Sequence, residues 1–88
     1  MRGRSPTQGP RMPDITMPLE HVAHARGQTH ETHAVHVGGK DTGIRTVTVR
    51  GRGEYRAELR WDGDVTPIIS EDNFARVVVD AVDKWRNT

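Results

Sequence analysis

Three features of this 88-residue sequence predict an α+β fold. The predicted fold is an antiparallel sheet of three or four strands with one C-terminal helix on one sheet face. Two segments alternate between apolar and polar residues around a glycine turn, and the C-terminal segment repeats apolar residues at helical spacing. Residues 1–30 contain every proline except Pro67 and few apolar residues, so they cannot bury enough surface to offset their chain entropy. We therefore predict a flexible arm at residues 1–30 and a small sheet-plus-helix domain at residues 31–88.

The segment "IRTVTVR" predicts the first strand of the sheet. Successive side chains of a strand point to opposite faces, so Val47 and Val49 share one face while Thr46, Thr48 and Arg50 share the other. Because valine is the more apolar residue, we expect Val47 and Val49 to face the core.

The next two strands follow from the turns that bound them. "YRAELRW" alternates cleanly and places Tyr55, Leu59 and Trp61 toward the core, with "GRGE" as the hairpin turn before it. The turn "WDGD" then leads to the apolar run "VTPII", where Pro67 has no N–H to donate and therefore predicts an edge strand. The segment "THAVHV" is a candidate fourth strand.

The helix is predicted to begin after Ser70, which is a favourable N-cap residue. Glu71 and Asp72 suit the positive end of the helix dipole, and Lys84 and Arg86 suit its negative end. Apolar residues at steps of three and four form a single stripe that should pack on the sheet: Phe74, Val77, Val78, Ala81, Val82 and Trp85.

The charges are segregated along the chain, although the formal net charge is only +1. Residues 45–60 carry five arginines and two glutamates, whereas residues 62–83 carry six acids and one arginine. On the predicted sheet this gives a basic exposed face opposite an acidic helix surface, which favours binding to the phosphates of duplex DNA. The alternative is a solvated face on which Glu58 pairs with neighbouring arginines. The predicted nucleic-acid-binding residues are Arg45, Arg50, Arg52, Arg56 and Arg60.

The segment "VRGRGEYRAELR" resembles the first two strands of the Apetala-two/ethylene-response-factor DNA-binding domain, a three-stranded sheet with one helix that is related to arm-type domains of phage integrases. The resemblance implies that the exposed sheet enters the major groove and that Arg50, Arg52, Arg56 and Arg60 make the contacts. The chain lacks the family's Pro-Trp pair before the turn glycine, and its helix is rich in valine instead of alanine. The matching positions are Val49, Arg50, Arg52, Gly53, Tyr55, Ala57, Glu58, Leu59 and Arg60.

Two other classes of function are alternatives to DNA binding. The apolar edge at "VTPII" is compatible with a protein-interaction module that pairs with a partner strand or with a second copy of the chain. Catalysis is not expected, because Ser5 lies in the arm, Ser70 is explained as a cap, and "HETH" is one residue short of the zinc-protease motif. We expect a cytoplasmic, non-enzymatic protein with no cofactor, no small-molecule substrate and no membrane partner.

All five histidines lie between residues 21 and 36, mostly at H-x-x-H steps. In a helix this spacing places two imidazoles on one face, where they could chelate a metal, but in a strand it places them on opposite faces. His33 and His36 fall in the candidate fourth strand, and His21 and His24 would need a short helix that is marginal in water. We therefore predict no metal site and interpret the segment as the hinge between arm and domain.

Overall fold

A computed structural model describes residues 14–88 of the chain. These residues form an antiparallel sheet of six strands with one C-terminal helix, which confirms the α+β class but exceeds the predicted three or four strands. The elements are β1 (Ile15–Thr16), β2 (Leu19–Ala25), β3 (Gln28–Val37), β4 (Lys40–Gly51), β5 (Glu54–Trp61), β6 (Asp64–Ile68) and α1 (Glu71–Arg86).

The strands follow one another as a meander, with β1 and β2 both paired to the same side of β3. β6 forms the opposite edge of the sheet, as Pro67 predicted. Each hairpin closes through two residues with positive φ, the type I′ geometry that matches the twist of the flanking strands. The four turns are Arg26-Gly27, Gly38-Gly39, Arg52-Gly53 and Asp62-Gly63.

The sheet extends into the segment that was predicted to be a flexible arm. That prediction is wrong for residues 14–30, which contain β1, β2 and the start of β3, and residues 1–13 lie outside the described part of the chain. The sequence does not indicate the β2–β3 turn clearly, because its first central residue is Arg26. Arg26 has a left-handed conformation, with a φ of 54°, which glycine, asparagine or aspartate adopts more often. β2 is also largely exposed and owes its conformation to pairing with β3.

The predicted orientation of β4 is also wrong, because Val47 and Val49 lie on the sheet face that points away from α1. Thr46 and Thr48 face the helix instead, opposite Leu59 and Ala57 of β5. The decisive residue is Ile44, which is fully buried in the core and has the same strand parity as the two threonines. One large apolar side chain in the centre of the core outweighs two valines nearer the end of the strand.

The helix packs as the apolar stripe predicts. Val78, Ala81 and Val82 are buried in a cluster with Val35 and Leu59, and the remaining stripe residues pack against that cluster. The N-cap position is Ser70 as predicted, although its side chain makes no capping hydrogen bond to a backbone N–H.

The helix runs antiparallel to β4 along the whole strand. At its start Glu71 lies 3.2 Å from Arg50, and near its end the Lys40 ammonium lies 6.0 Å from the centre of the Trp85 ring. The helix leaves the opposite face of the sheet uncovered within the described residues, and we call this the open face. No helix within residues 14–88 is long and apolar enough to cross a membrane.

Candidate nucleic-acid interface

The five arginines predicted to bind nucleic acid do not share one surface. Arg45, Arg56 and Arg60 lie on the open face, because they alternate with residues that face the core. Arg50 lies on the helix side of the sheet, and Arg52 occupies the β4–β5 turn. Cross-strand register separates them: Arg50 stands opposite Tyr55, whereas Arg45 stands opposite Arg60.

Arg45 is neutralised by two carboxylates. Its guanidinium donates to Glu20 at 2.8 Å and to both oxygens of Asp41 at 2.9 and 2.8 Å. The hydrogen bonds from Arg45, joined by one from the Gly43 N–H, hold the pKa of the Asp41 carboxyl well below its usual range. An arginine held in this way adds little attraction for a phosphate, because its charge is already compensated.

Arg60 and Arg56 differ in their partners, although both lie on the open side of β5. Arg60 forms an ion pair with Glu58. The alternative of a solvated face predicted this pairing of Glu58 with a neighbouring arginine. Arg56 makes no ion pair with any residue in the range 14–88. Arg56 is therefore the open-face arginine that is available to an external anion.

Arg50 belongs to a pocket between the start of α1 and the helix side of β3 and β4. Its guanidinium lies 5.0 Å from the centre of the Tyr55 ring and 3.2 Å from the Glu71 carboxylate. The pocket has a volume of about 560 Å³ and is also lined by Glu31 and His33. Burial raises the pKa of the Tyr55 hydroxyl. These contacts hold Arg50 away from any ligand on the open face.

A different group of arginines meets at one end of the sheet. The β2–β3 and β4–β5 turns lie side by side, and each has the dipeptide Arg-Gly at its two central positions. Arg26 and Arg52 lie in these turns, and Arg56 follows on the open side of β5. We call Arg26, Arg52 and Arg56 the arginine end. None of the three has an ion-pair partner among residues 14–88.

Close backbone packing fixes the two turns against each other. A Cβ on Gly51 would overlap the carbonyl oxygen of Gly27 and stand 3.0 Å from the Cα of Gln28. The Arg52 guanidinium donates to the Arg26 carbonyl oxygen at 3.4 Å, and the Gln28 side chain donates to Glu54 at 2.9 Å. The two turns therefore pack directly against each other and bring Arg26 and Arg52 to the same end of the sheet, where an anion can accept hydrogen bonds from both.

Arg26 is the residue that sequence reasoning missed, because it was assigned to the arm. A signal was available, since "ARGQ" and "GRGE" share the Arg-Gly pair and alternating segments follow both. In a meander, two turns that are separated by two strands lie at the same end of the sheet. The turns at Arg26-Gly27 and Arg52-Gly53 are separated by β3 and β4, so they meet this condition.

The histidines are divided between the two sheet faces. His33 lies on the helix side and His36 on the open face, as the strand periodicity predicted. His21 and His24 also lie in a strand, β2, in place of the short helix considered for them, and they too point to opposite faces. Within residues 14–88 no group of three or more His, Cys, Asp or Glu side chains is placed to hold a metal ion.

Comparisons of the chain with protein-family models, with curated proteins and with solved structures return no match. The resemblance to the ethylene-response-factor domain therefore depends only on the positions quoted from the sequence. Any proposal about function has to come from the geometry of the site.

Proposed function

We propose that this chain is a small, non-catalytic DNA-binding module that contacts duplex phosphates through the arginine end. The observation that carries the proposal is the pair of packed Arg-Gly turns, which present Arg26 and Arg52 together. Arg56 extends this cationic surface onto the open face. The proposal keeps Arg52 and Arg56 from the sequence prediction, adds Arg26, and assigns no direct contact to Arg45, Arg50 or Arg60.

The expected binding is electrostatic and indifferent to sequence. Three arginines that neutralise three phosphates predict that the logarithm of the affinity falls with the logarithm of salt concentration at a slope of about −3. A dissociation constant of roughly 10⁻⁴ to 10⁻⁶ M is typical of such non-specific contacts at physiological salt.

Fluorescence anisotropy of a labelled random duplex, titrated with the full chain at several salt concentrations, tests the proposal. Arg26→Asn and Arg52→Asn remove the charges but keep residues that tolerate the left-handed turn conformation. Each should weaken binding and reduce the salt slope by about 1. Arg86→Gln is the matched control, since Arg86 lies at the far end of α1 beside Asp14. Arg60→Gln tests an open-face arginine that the sequence predicts to bind DNA, and it should have little effect because Arg60 is paired with Glu58.

Two results would overturn the proposal. One is the absence of salt-dependent binding by the unaltered chain. The other is binding that survives Arg26→Asn and Arg52→Asn but is lost with Arg60→Gln, which would return the contact to the open face.

A protein-interaction module without nucleic acid is the second candidate, and one observation favours it. The exposed large apolar side chains of the described residues lie on β2 and along β6 and its extension, at the two edges of the sheet. An NMR titration with duplex DNA at two salt concentrations separates the candidates. Amide shifts around the Arg-Gly turns that vanish at high salt support DNA binding, and a concentration-dependent mass without such shifts supports protein interaction.

A further inference from the structure

The two edges of the sheet differ in how well they are protected against pairing with another strand. In an antiparallel hairpin, hydrogen-bonded and non-hydrogen-bonded residue pairs alternate, and the pair that flanks a two-residue turn is hydrogen-bonded. On an edge strand, the residues of the non-hydrogen-bonded pairs point their N–H and C=O groups outward. On β6 the outward residues are Val65 and Pro67, because Trp61–Asp64 and Leu59–Thr66 face each other as hydrogen-bonded pairs. Pro67 has no N–H, and its ring occupies the place where a partner's carbonyl oxygen would approach. The β6 edge is therefore guarded.

The β2 edge has no such guard along residues 21–25. Counted from the Arg26-Gly27 turn, Val22 and His24 stand in the pairs that point their N–H and C=O groups outward. The strand contains no proline, no lysine and no arginine. Its only formal charge, Glu20, lies in the bulge that ends the regular pairing and is held by Arg45 at 2.8 Å. Edge strands of this kind pair readily with another strand.

From this difference we infer that β2 is an interaction surface whose partner is the β2 strand of a second copy of this chain. Antiparallel pairing about Ala23 places Val22 opposite the second copy's His24, and each such pair exchanges two backbone hydrogen bonds. The two-fold axis then repeats this pair, so four outward N–H groups are satisfied. The inference does not depend on DNA binding. It names the partner and the contact surface of the protein-interaction module, which is the second candidate function.

Side-chain chemistry also favours a second copy over the other edge as the partner. Antiparallel pairing about Ala23 places Glu20 of each chain at the end where Arg26 of the other chain lies, so like charges do not face each other across the new contact. Val22 is 39% exposed and, through its pairing with Glu31, lies on the helix side of the sheet. Val65, in contrast, lies on the open face. A β2–β6 contact that kept the open faces aligned would leave these apolar side chains on opposite sides of the joined sheet.

Cysteine cross-linking tests the register directly, because the chain has no cysteine of its own. In the inferred pairing the two Ala23 residues face each other as a non-hydrogen-bonded pair with a Cα–Cα distance of about 4.5 Å, which a disulfide can span. Ala23→Cys should give a disulfide-linked dimer on mild oxidation. Val65→Cys, which places the thiol at the guarded edge, is the matched control and should remain a single chain.

Sedimentation equilibrium of the unaltered chain should show a mass that rises from one chain toward two with concentration. His24→Pro removes an outward N–H without disturbing the β2–β3 ladder and should restore a single-chain mass. Val22→Lys should do the same through charge, and circular dichroism checks that both variants fold. A single-chain mass at every concentration, with Ala23→Cys cross-linking no faster than Val65→Cys, would refute the inference. Preferential cross-linking of Val65→Cys would move the contact to β6 and refute it equally.

Discussion

Thr42 and Thr46 lie on the helix side of β4, and their hydroxyl groups differ in hydrogen bonding. The Thr42 hydroxyl donates to the Val35 carbonyl oxygen at 2.8 Å and accepts from the Ile44 N–H at 3.0 Å. The Thr46 hydroxyl is fully buried and has no partner in the described part of the chain. A buried hydroxyl without a hydrogen bond destabilises the folded state by about 1–3 kcal/mol.

Replacing each threonine by valine should therefore change stability in opposite directions. Thr46→Val removes the unpaired hydroxyl at nearly constant volume and should raise the free energy of unfolding by ~1 kcal/mol. Thr42→Val removes two hydrogen bonds and leaves buried backbone groups unsatisfied, so it should lower that free energy by ~1–3 kcal/mol. Urea denaturation of both variants measures the two changes. A destabilised Thr46→Val variant would show that the hydroxyl has a partner, such as a buried water.

The ion pair of Asp41 and Arg45 predicts a specific dependence of stability on pH. Arg45 lowers the pKa of the folded Asp41 carboxyl below its unfolded value near 4, so the pair stabilises the fold above about pH 4. The contribution is lost as pH falls through the lowered pKa. Asp41→Asn should be less stable than the unaltered chain at pH 7, and the difference should shrink as the pH is reduced below about 4. Denaturation at several pH values measures this. A difference that does not change with pH would show that the carboxylate charge is not its cause.

At the level of elements, the helix was predictable and the faces of β4 were not. The six-residue stripe of α1 has one helical arrangement that buries it, so its spacing determines which side packs on the sheet. In β4, valine and threonine are both favourable strand residues, and the choice of face depends on whether Ile44 reaches the core. That depends on the register with β3 and β5, which local sequence does not encode. The same limit explains why Arg50 was assigned to the open face.

The packed Arg-Gly turns make a prediction at the same scale. Gly51 has a φ of 132° and no room for a Cβ beside the Gly27 carbonyl, whereas Gly53 has a φ of 73° and open space around it. Gly53→Ala should cost only the left-handed backbone penalty, roughly 1–2 kcal/mol. Gly51→Ala should cost more and should also push the two turns apart.

Thermal unfolding and DNA anisotropy of the two alanine variants, measured below their unfolding temperatures, separate these effects. Gly53→Ala should keep the affinity for duplex DNA, while Gly51→Ala should weaken it even where the fold is intact. Equal affinities for the two folded variants would mean that contact between the turns plays no part in binding.

At the level of the whole molecule, the arginine end and the β2 edge together predict a geometry for assemblies with DNA. β2 runs toward the arginine end, which begins at Arg26 directly after the strand. Two chains that pair antiparallel through β2 therefore point their arginine ends in opposite directions. Such a dimer cannot place both arginine ends on one short duplex, and we expect it to hold two duplexes instead.

Bridging between duplexes measures this consequence, which requires both proposals to hold. A biotinylated duplex on beads should capture a second, fluorescent duplex when the unaltered chain is present at concentrations where it dimerises. His24→Pro should still bind the immobilised duplex but should not bridge, because it lacks the β2 contact. A double Arg26→Asn, Arg52→Asn variant should still dimerise and neither bind nor bridge. Bridging by His24→Pro at the level of the unaltered chain would mean that a single copy carries two separate DNA-binding surfaces, and Arg60, the open-face arginine paired with Glu58 and outside the arginine end, would then be the first to test.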